Sequence, residues 1–423
     1  MDHIKKIINQ VDANKDEAVE FLQNLIKIPT FVPPGINYDK IAQVISKKME
    51  ESGFTISIVE TPKDYLEKAG ASKFDPPLEG VRVNTIGNLQ GLERSSTLVF
   101  NGHVDTVPVN PRWETDPFGG EIMNGSIYGR GASDDKGGVA AMIMALKALV
   151  DTGIELKGNV LLTATVDEEI GGLPGLGYIV DAGLVKGEYG ICVDGSCENI
   201  SISSAGRIKY KVYTYGKAAH SSTPHLGINA IEHMAKVVLA IQEYGRELLT
   251  RRSTILAPPR TGIKFIYPST AVGIIQGGTK ENIIPSYCSI TLNRRFTPEE
   301  NFEDVRKEFK NVVKVALKDV ENARWEIEEM NVKDAYAISK DHHIVITLKK
   351  SAEEVFNKTI PIYGSTGGTD MSHIKRAGIP MCAFGPGSLG NNVHAPEENL
   401  KLSVYQDLIK VYALTALKIC GYK

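Results

Sequence analysis

Up to about residue 200, short and wholly apolar runs alternate with longer stretches of helical period. The runs "TLVFNGHVD" (97–105), "GNVLLTATVDEE" (158–169) and "YGICVDG" (189–195) are too continuously apolar for strands with one wet face. Between the first two, "GGVAAMIMALKALVDTG" (137–153) has the period of a helix and ends on glycine. Strand, helix, strand in this style predicts a mostly parallel sheet covered on both faces. The opening "MDHIKKIINQVDANKDEAVEFL" predicts one charged helix, and the Pro- and Gly-bearing stretch 62–80 a surface loop.

Near Gly206 the pattern changes. "RIKYKVYTYG" alternates, as a strand with one polar face does. A helix (229–244), the strands "TAVGIIQGG" and "YCSITLNRRF", a charged amphipathic helix (300–318) and "ARWEIEEM" follow. Strand-helix-strand-strand-helix-strand is the order of a ferredoxin-like sandwich. From about Asn331 the first style resumes, with a helix (339–357), the strand "IPMCAFG" and a closing helix (400–418). The expected architecture is an α/β domain made of residues 1–205 and 332–423, interrupted by a smaller α+β domain of residues 206–331.

A length of 423 residues agrees with two domains, and a hydrophobic fraction of 42% argues against a largely disordered chain. The net charge of −3 gives no footprint for nucleic acid or an anionic membrane, so a small molecule or peptide is the expected partner. The N-terminus lacks the apolar core of a secretory signal, and no segment is long and apolar enough to span a bilayer. Five scattered cysteines (Cys192, Cys197, Cys288, Cys382, Cys420) show no zinc-ribbon pairing and read as buried or neutral thiols. Together these predict a soluble cytoplasmic protein.

Each apolar strand of the first region ends in candidate metal ligands: His103 and Asp105, then Asp167, Glu168 and Glu169, then Asp194. Ligand sites of open α/β sheets gather outside the carboxyl ends of the strands. "GRGASDDKGG" (129–138) puts Asp134 and Asp135 in a glycine-rich turn, and "FGPGSLGNNVHAPEEN" puts His394 in a loop. Taken singly, each has a bland reading: a core histidine, a helix cap, a loop acid. Taken together, two histidines and at least three carboxylates can neutralise two divalent cations, and the His/carboxylate mixture suits zinc, with cobalt or manganese as alternatives.

The order of motifs resembles a family of co-catalytic zinc hydrolases, metallopeptidase family twenty. Its members include acetylornithine deacetylase, succinyl-diaminopimelate desuccinylase, aminoacylase and glutamate carboxypeptidase. The resemblance rests on "NGHVDTVPV", Trp113 and "DPF", "GRGASDDKGG", "VDEEIGG", "AAHSSTPHLGINAI", "ENIIPSYCSI", "GGTDMSH" and "FGPG…HAPEEN", eight weak signals in one order over essentially the whole chain.

The resemblance implies that Asp134 bridges two metals and is followed by a cis peptide. His103 and Asp194 would complete one metal site, and Glu169 and His394 the other. Asp105 would sit behind His103 and fix its ring, and Glu168 would act as general base on a water shared by the metals. His220, in "GKAAHSSTP", would reach from a partner subunit to the substrate oxyanion, so a homodimer is expected. Asn282, Arg295, Gly368 and Thr369 match substrate-contacting positions, with Arg294 an alternative to Arg295. His225, His342, His343 and His373 are not expected as ligands, and Asp167 has no role beyond turning or capping the loop. The implied reaction is hydrolysis of the amide of an N-acyl amino acid. The open alternatives are dipeptidase, aminopeptidase or carboxypeptidase action at the same site, and a non-catalytic peptide-binding relative. Asp194 stands where many deacylases of the family carry Glu and is more familiar in the dipeptidase and aminopeptidase branches; "GGTDMSH" and the "HAPEEN" ending look more like deacylases.

Overall fold

The computed structural model describes residues 2–68, 70–71, 76–93 and 96–423. The chain forms two compact units. One comprises the residues up to Ser203, Ile338–Tyr363 and Thr369–Lys423; the other comprises Ser204–Ala337 with Gly364–Gly368.

Six strands of the first unit's large sheet precede the second unit: β1 (Thr55–Glu60), β2 (Val83–Leu89), β3 (Thr97–His103), β4 (Asn159–Thr165), β5 (Tyr189–Cys192) and β6 (Ile200–Ser201). The second unit supplies β7 (Gly206–Tyr215), β8 (Ser269–Gly277), β9 (Tyr287–Phe296) and β10 (Arg324–Lys333). The chain then returns to the first unit with β11 (Ile362–Tyr363) and β12 (Met381–Ala383).

The first sheet runs in the order β1-β2-β4-β3-β5-β12-β6-β11. Its centre is parallel: β3 pairs with β4 and β5, and β12 with β5. Strand β3 has six of its seven residues buried, as the apolar run requires when helices cover both faces. The helix Lys136–Asp151 buries Val139 to Leu146 without interruption and packs against Leu402–Cys420, the closing helix. Val99 and Phe100 lie beneath with no exposed surface, and Tyr412 meets Phe100 edge-on at 5.6 Å.

Four details depart from the pattern reading. The strand expected over 158–169 stops at Thr165; Asp167 is left-handed (φ 63°) and Glu168–Ile170 form a single 3₁₀ turn. Three acids in a row carry no strand propensity, so the run had overextended the apolar signal. The N-terminal helix breaks at Asn14 into Asp2–Ala13 and Lys15–Ile26. The antiparallel pair β1–β2 has no counterpart in the apolar pattern, because β1 is an edge strand with no fully buried residue. Within the expected loop 62–80, Lys63–Lys68 is helical, and residues 69 and 72–75 lie outside the described residues.

The second unit is an antiparallel sheet in the order β8-β9-β7-β10, the ferredoxin-like arrangement. Helices Ala230–Leu248 and Phe302–Leu317 cover one face. Each starts on an asparagine whose side chain accepts two backbone N–H groups, Asn229 from Ile231 and Glu232, Asn301 from Glu303 and Asp304. Ile208, Tyr210, Val212, Ile290 and Leu292 meet Val237, Ile241, Phe309 and Val313 in its core, where Tyr210 stacks on Phe309 at 4.1 Å. All five cysteines are free and buried. Among the described residues, no helix is long and apolar enough to cross a membrane.

Candidate active site

Parallel strands end together, and at that edge the first unit gathers its histidines and acids. His103 is the last residue of β3. Its Nε2 lies 3.0 Å from Asp134 Oδ1, and its Nδ1 lies 3.0 Å from the main-chain oxygen of Asp105. Asp134 sits in the turn before the helix Lys136–Asp151, and the Asp134–Asp135 peptide is cis. Asp134 Oδ2 is 3.0 Å from His394 Nε2, which is also 3.0 Å from Glu169 Oε1. Two triads result: His103, Asp134 and Asp194, and Asp134, Glu169 and His394. In each, the potential ligand atoms lie within 4.8 Å of one another, and Asp134 belongs to both.

The electrostatics favour bound positive charge. Burial would raise the Asp134 carboxyl, but hydrogen bonds from His103 and His394 outweigh it and hold it well below the usual carboxylate range. Hydrogen bonds to Asp134 and Glu169 push the His394 imidazole up to about 10. Burial, reinforced by the charge of Asp134, pushes Glu169 up to about 8. Three carboxylates and two imidazoles held this close together form a donor set matched to divalent cations, and the N/O mixture fits zinc.

The sequence motifs also hold residues that position this set. The Asp105 carboxylate is 3.4 Å from His103 Nδ1, farther than its own carbonyl, and it accepts the N–H groups of Glu168 (3.2 Å) and Glu169 (3.1 Å). Asp105 therefore fixes the glutamate turn as well as the imidazole. Asp167 is buried with Oδ1 accepting from Tyr38 Oη (2.7 Å) and Oδ2 from Arg82 Nε (2.9 Å). Its role is thus a buried ion pair at the base of the turn. Glu398 Oε1 accepts the N–H groups of Ser133 and Asp134, and its Oε2 pairs with Arg130 at 2.7 Å. His373 Nε2 lies 2.7 Å from the Gly171 carbonyl, bracing the far end of the glutamate turn. Glu398 lies inside the quoted "HAPEEN", but its partners are some 265 residues away and no local pattern exposes them.

On the second unit, His220 and Asn282 lie on adjacent loops. Ser221 donates its N–H to the Asn282 carbonyl at 3.0 Å, and the His220 ring, exposed, bonds Ser222 Oγ at 2.7 Å. Arg294 and Arg295 point to opposite faces of β9. Arg294 has no exposed surface and is held by Tyr244 Oη and Glu300, so it cannot meet a substrate. Arg295 is half-buried on the other face, 3.4 Å from the Thr366 carbonyl, in the loop that contains Gly368. Thr369 begins the next segment of the first unit. His225 lies in a 3₁₀ turn, and His342 caps the helix His343–Phe356.

Residues 99–418 match peptidase family M20/M25/M40. The chain is 27% identical to the N-formyl-4-amino-5-aminomethyl-2-methylpyrimidine deformylase of Bacillus subtilis (strain 168), over 99% of this chain and 98% of that protein. It is also 27% identical to the succinyl-diaminopimelate desuccinylase of Methylobacterium radiotolerans, over 94% and 95% of the two chains. The crystal structure of the M20 family metallo-carboxypeptidase Sso-CP2 from Sulfolobus solfataricus superposes with a TM-score of 0.75 at 22% identity, covering 95% of this chain and 98% of that one. With these matches over a two-unit fold that gathers a His/carboxylate cluster at its strand ends, the chain belongs to peptidase family M20/M25/M40 and is a metal-dependent hydrolase acting on amide bonds.

Proposed function

We propose that the enzyme cleaves N-acyl amino acids, with two divalent cations, zinc first among them, held by His103, Asp134 and Asp194 on one side and by Asp134, Glu169 and His394 on the other. The single observation that carries this reading is the pair of ligand triads sharing Asp134. Bound there, such cations would supply Lewis acidity, lowering the pKa of a shared water towards ~7 and polarising the amide carbonyl. Glu168, beside the ligand Glu169 on the turn that Asp105 fixes, takes a proton from the attacking water and returns it to the leaving nitrogen. His103 keeps Nε2 directed at Asp134 because Nδ1 is engaged by Asp105.

In the same proposal the second unit is a lid and dimerisation domain. Its His220 hydrogen-bonds the developing negative charge on the carbonyl oxygen in a partner's site. Arg295 forks a substrate carboxylate, while Asn282, Gly368 and Thr369 contact the rest of the substrate. The edge strand β8, with Ile274 and Ile275 exposed, supports the dimerisation role. Deacylation is favoured because the deformylase and the desuccinylase match almost end to end. Peptide cleavage is the second reading, favoured by Asp194 and by the likeness to a carboxypeptidase. A metal-reconstituted screen of N-acyl amino acids against dipeptides blocked at either end separates the two. Protein that bound no transition metal and gained no activity from zinc or cobalt would overturn both.

A further inference from the structure

The turn that carries Glu168 and Glu169 closes on a peptide between two glycines. Gly171 and Gly172 both take positive φ, 119° and 71°. Gly171 donates its N–H to the Glu168 carbonyl at 2.8 Å, and Gly172 donates its N–H to the Asp167 carbonyl at 2.7 Å. With no Cβ on either side, the peptide joining them can reverse at little steric cost, and reversal takes the Gly172 N–H away from Asp167. What opposes this is the other edge of the same peptide, the Gly171 carbonyl, 2.7 Å from His373 Nε2. The ring comes too close for a larger residue in the turn: a Cβ on Gly172 would sit 2.1 Å from Asp370 Oδ1 and 3.1 Å from His373 Nε2. His373 reaches the carbonyl as one member of a chain. Its Nδ1 faces Arg376 Nη1 at 3.2 Å; a guanidinium only donates, so Nδ1 accepts and the ring proton sits on Nε2, directed at Gly171. Arg376 also gives Nη2 to the Gly177 carbonyl at 3.2 Å and Nε to Asp181 Oδ1 at 2.8 Å, and Asp181 Oδ2 accepts from Tyr65 Oη at 2.6 Å. The ring is buried and Arg376 exposed, so the chain runs from solvent to the turn.

We propose that His373 is a positioning residue for the amide hydrolysis: held in its Nε2–H tautomer by Arg376, it latches the Gly171–Gly172 peptide and so fixes the turn from which Glu168 meets the attacking water. The inference rests on the reading of Glu168 as general base. Asp105 holds the front of the turn through the N–H groups of Glu168 and Glu169, and His373 holds its back. Bound metal would anchor Glu169 through its carboxylate. Glu168, which carries a proton from water to nitrogen, depends more on the backbone beneath it. Loss of the latch therefore costs turnover before it costs metal.

Backbone amide exchange in the metal-loaded full-length enzyme reads the latch, and turnover reads what it is for. In His373→Leu the amides of the turn 167–172 should exchange about tenfold faster, the factor one lost hydrogen bond is worth, while those of β4 stay within about twofold. His373→Gln, whose side-chain amide can offer an N–H to the same carbonyl, should bring exchange back to within about threefold of the parent. Turnover is measured on whichever N-acyl amino acid or blocked dipeptide the metal-reconstituted screen selects. His373→Leu should lower kcat about tenfold, with KM within about twofold and both metals retained in elemental analysis, and His373→Gln should recover most of the loss. Arg376→Met, at an exposed position, should show both effects at about threefold and carries the comparison if His373→Leu fails to fold. Unchanged exchange in these variants overturns the latch and leaves the reading of Glu168 untouched. Faster exchange with kcat per bound metal unchanged reduces His373 to a structural role and overturns the proposal. Glu168→Gln that keeps its activity overturns the base reading instead, and with it the function of the latch, whatever the exchange shows.

Discussion

The two units concentrate opposite charge. At the strand ends of the first, two carboxylates and two imidazoles crowd around Asp134; on the helix-free face of the second, Arg207, Arg295, Lys333 and Lys209 share one end of a sheet. In each unit the neighbouring charge of the same sign is consumed internally: Asp167 by Arg82 and Tyr38, Arg294 by Glu300 and Tyr244. The acidic set differs in that its carboxylates converge with two imidazoles, every potential ligand atom of a triad lying within 4.8 Å of the others, a spacing that suits a divalent cation.

The largest expected effect breaks the comparison within the acidic set. Glu168→Gln should lower kcat by ~10²–10⁴ with metal content unchanged, as loss of a general base does, while Glu169→Ala should lose one of two metals in elemental analysis. Equal metal content and activity in both variants would undo the division between them. Next comes the internal cation. Arg294→Met leaves Glu300 without its buried partner and should cost about 3 kcal/mol in denaturant unfolding. Arg295→Met should move stability by less than about 0.5 kcal/mol and raise KM about tenfold instead. The smallest effect concerns protons. His394 and Glu169, raised to about 10 and about 8, carry protons at neutral pH that a metal must displace. Zinc uptake at pH 7 should therefore release protons, and affinity should weaken as pH falls from about 8 to 6. A zinc titration followed with a pH indicator reads both; uptake without proton release would contradict the sign.

Strand order and helix count in the second unit were legible because alternation and amphipathic period are local signals, and the helices start on Asn229 and Asn301, which declare themselves as caps. The candidate His/carboxylate cluster was legible because strand ends and glycine-rich turns advertise where a sheet presents side chains, while the division of roles within it came from the family resemblance. What escaped was whatever depends on distant pairing. Tyr38 and Arg82 meet Asp167 across 129 and 85 residues, and Glu398 meets Ser133 across 265. Nothing within a window of residues distinguishes Asp167, which supports, from Glu169, which is offered as a ligand; only the buried guanidinium does. The overlong strand at 158–169 came from the same blindness, since the apolar signal fades gradually where the backbone turns sharply at Asp167.

The insertion of the second unit between Ser203 and Ile338 also has a consequence for how the enzyme comes into being. Four members of the acidic set are translated before the insert and His394 after it, with Glu398, which holds the Asp134 turn, later still. A chain that has not yet added residues 394–398 thus has one triad incomplete and the bridging turn unsupported. Hydrolytic competence therefore depends on the segment after the insert folding back onto residues laid down before it, so the centre cannot mature piecemeal along the chain.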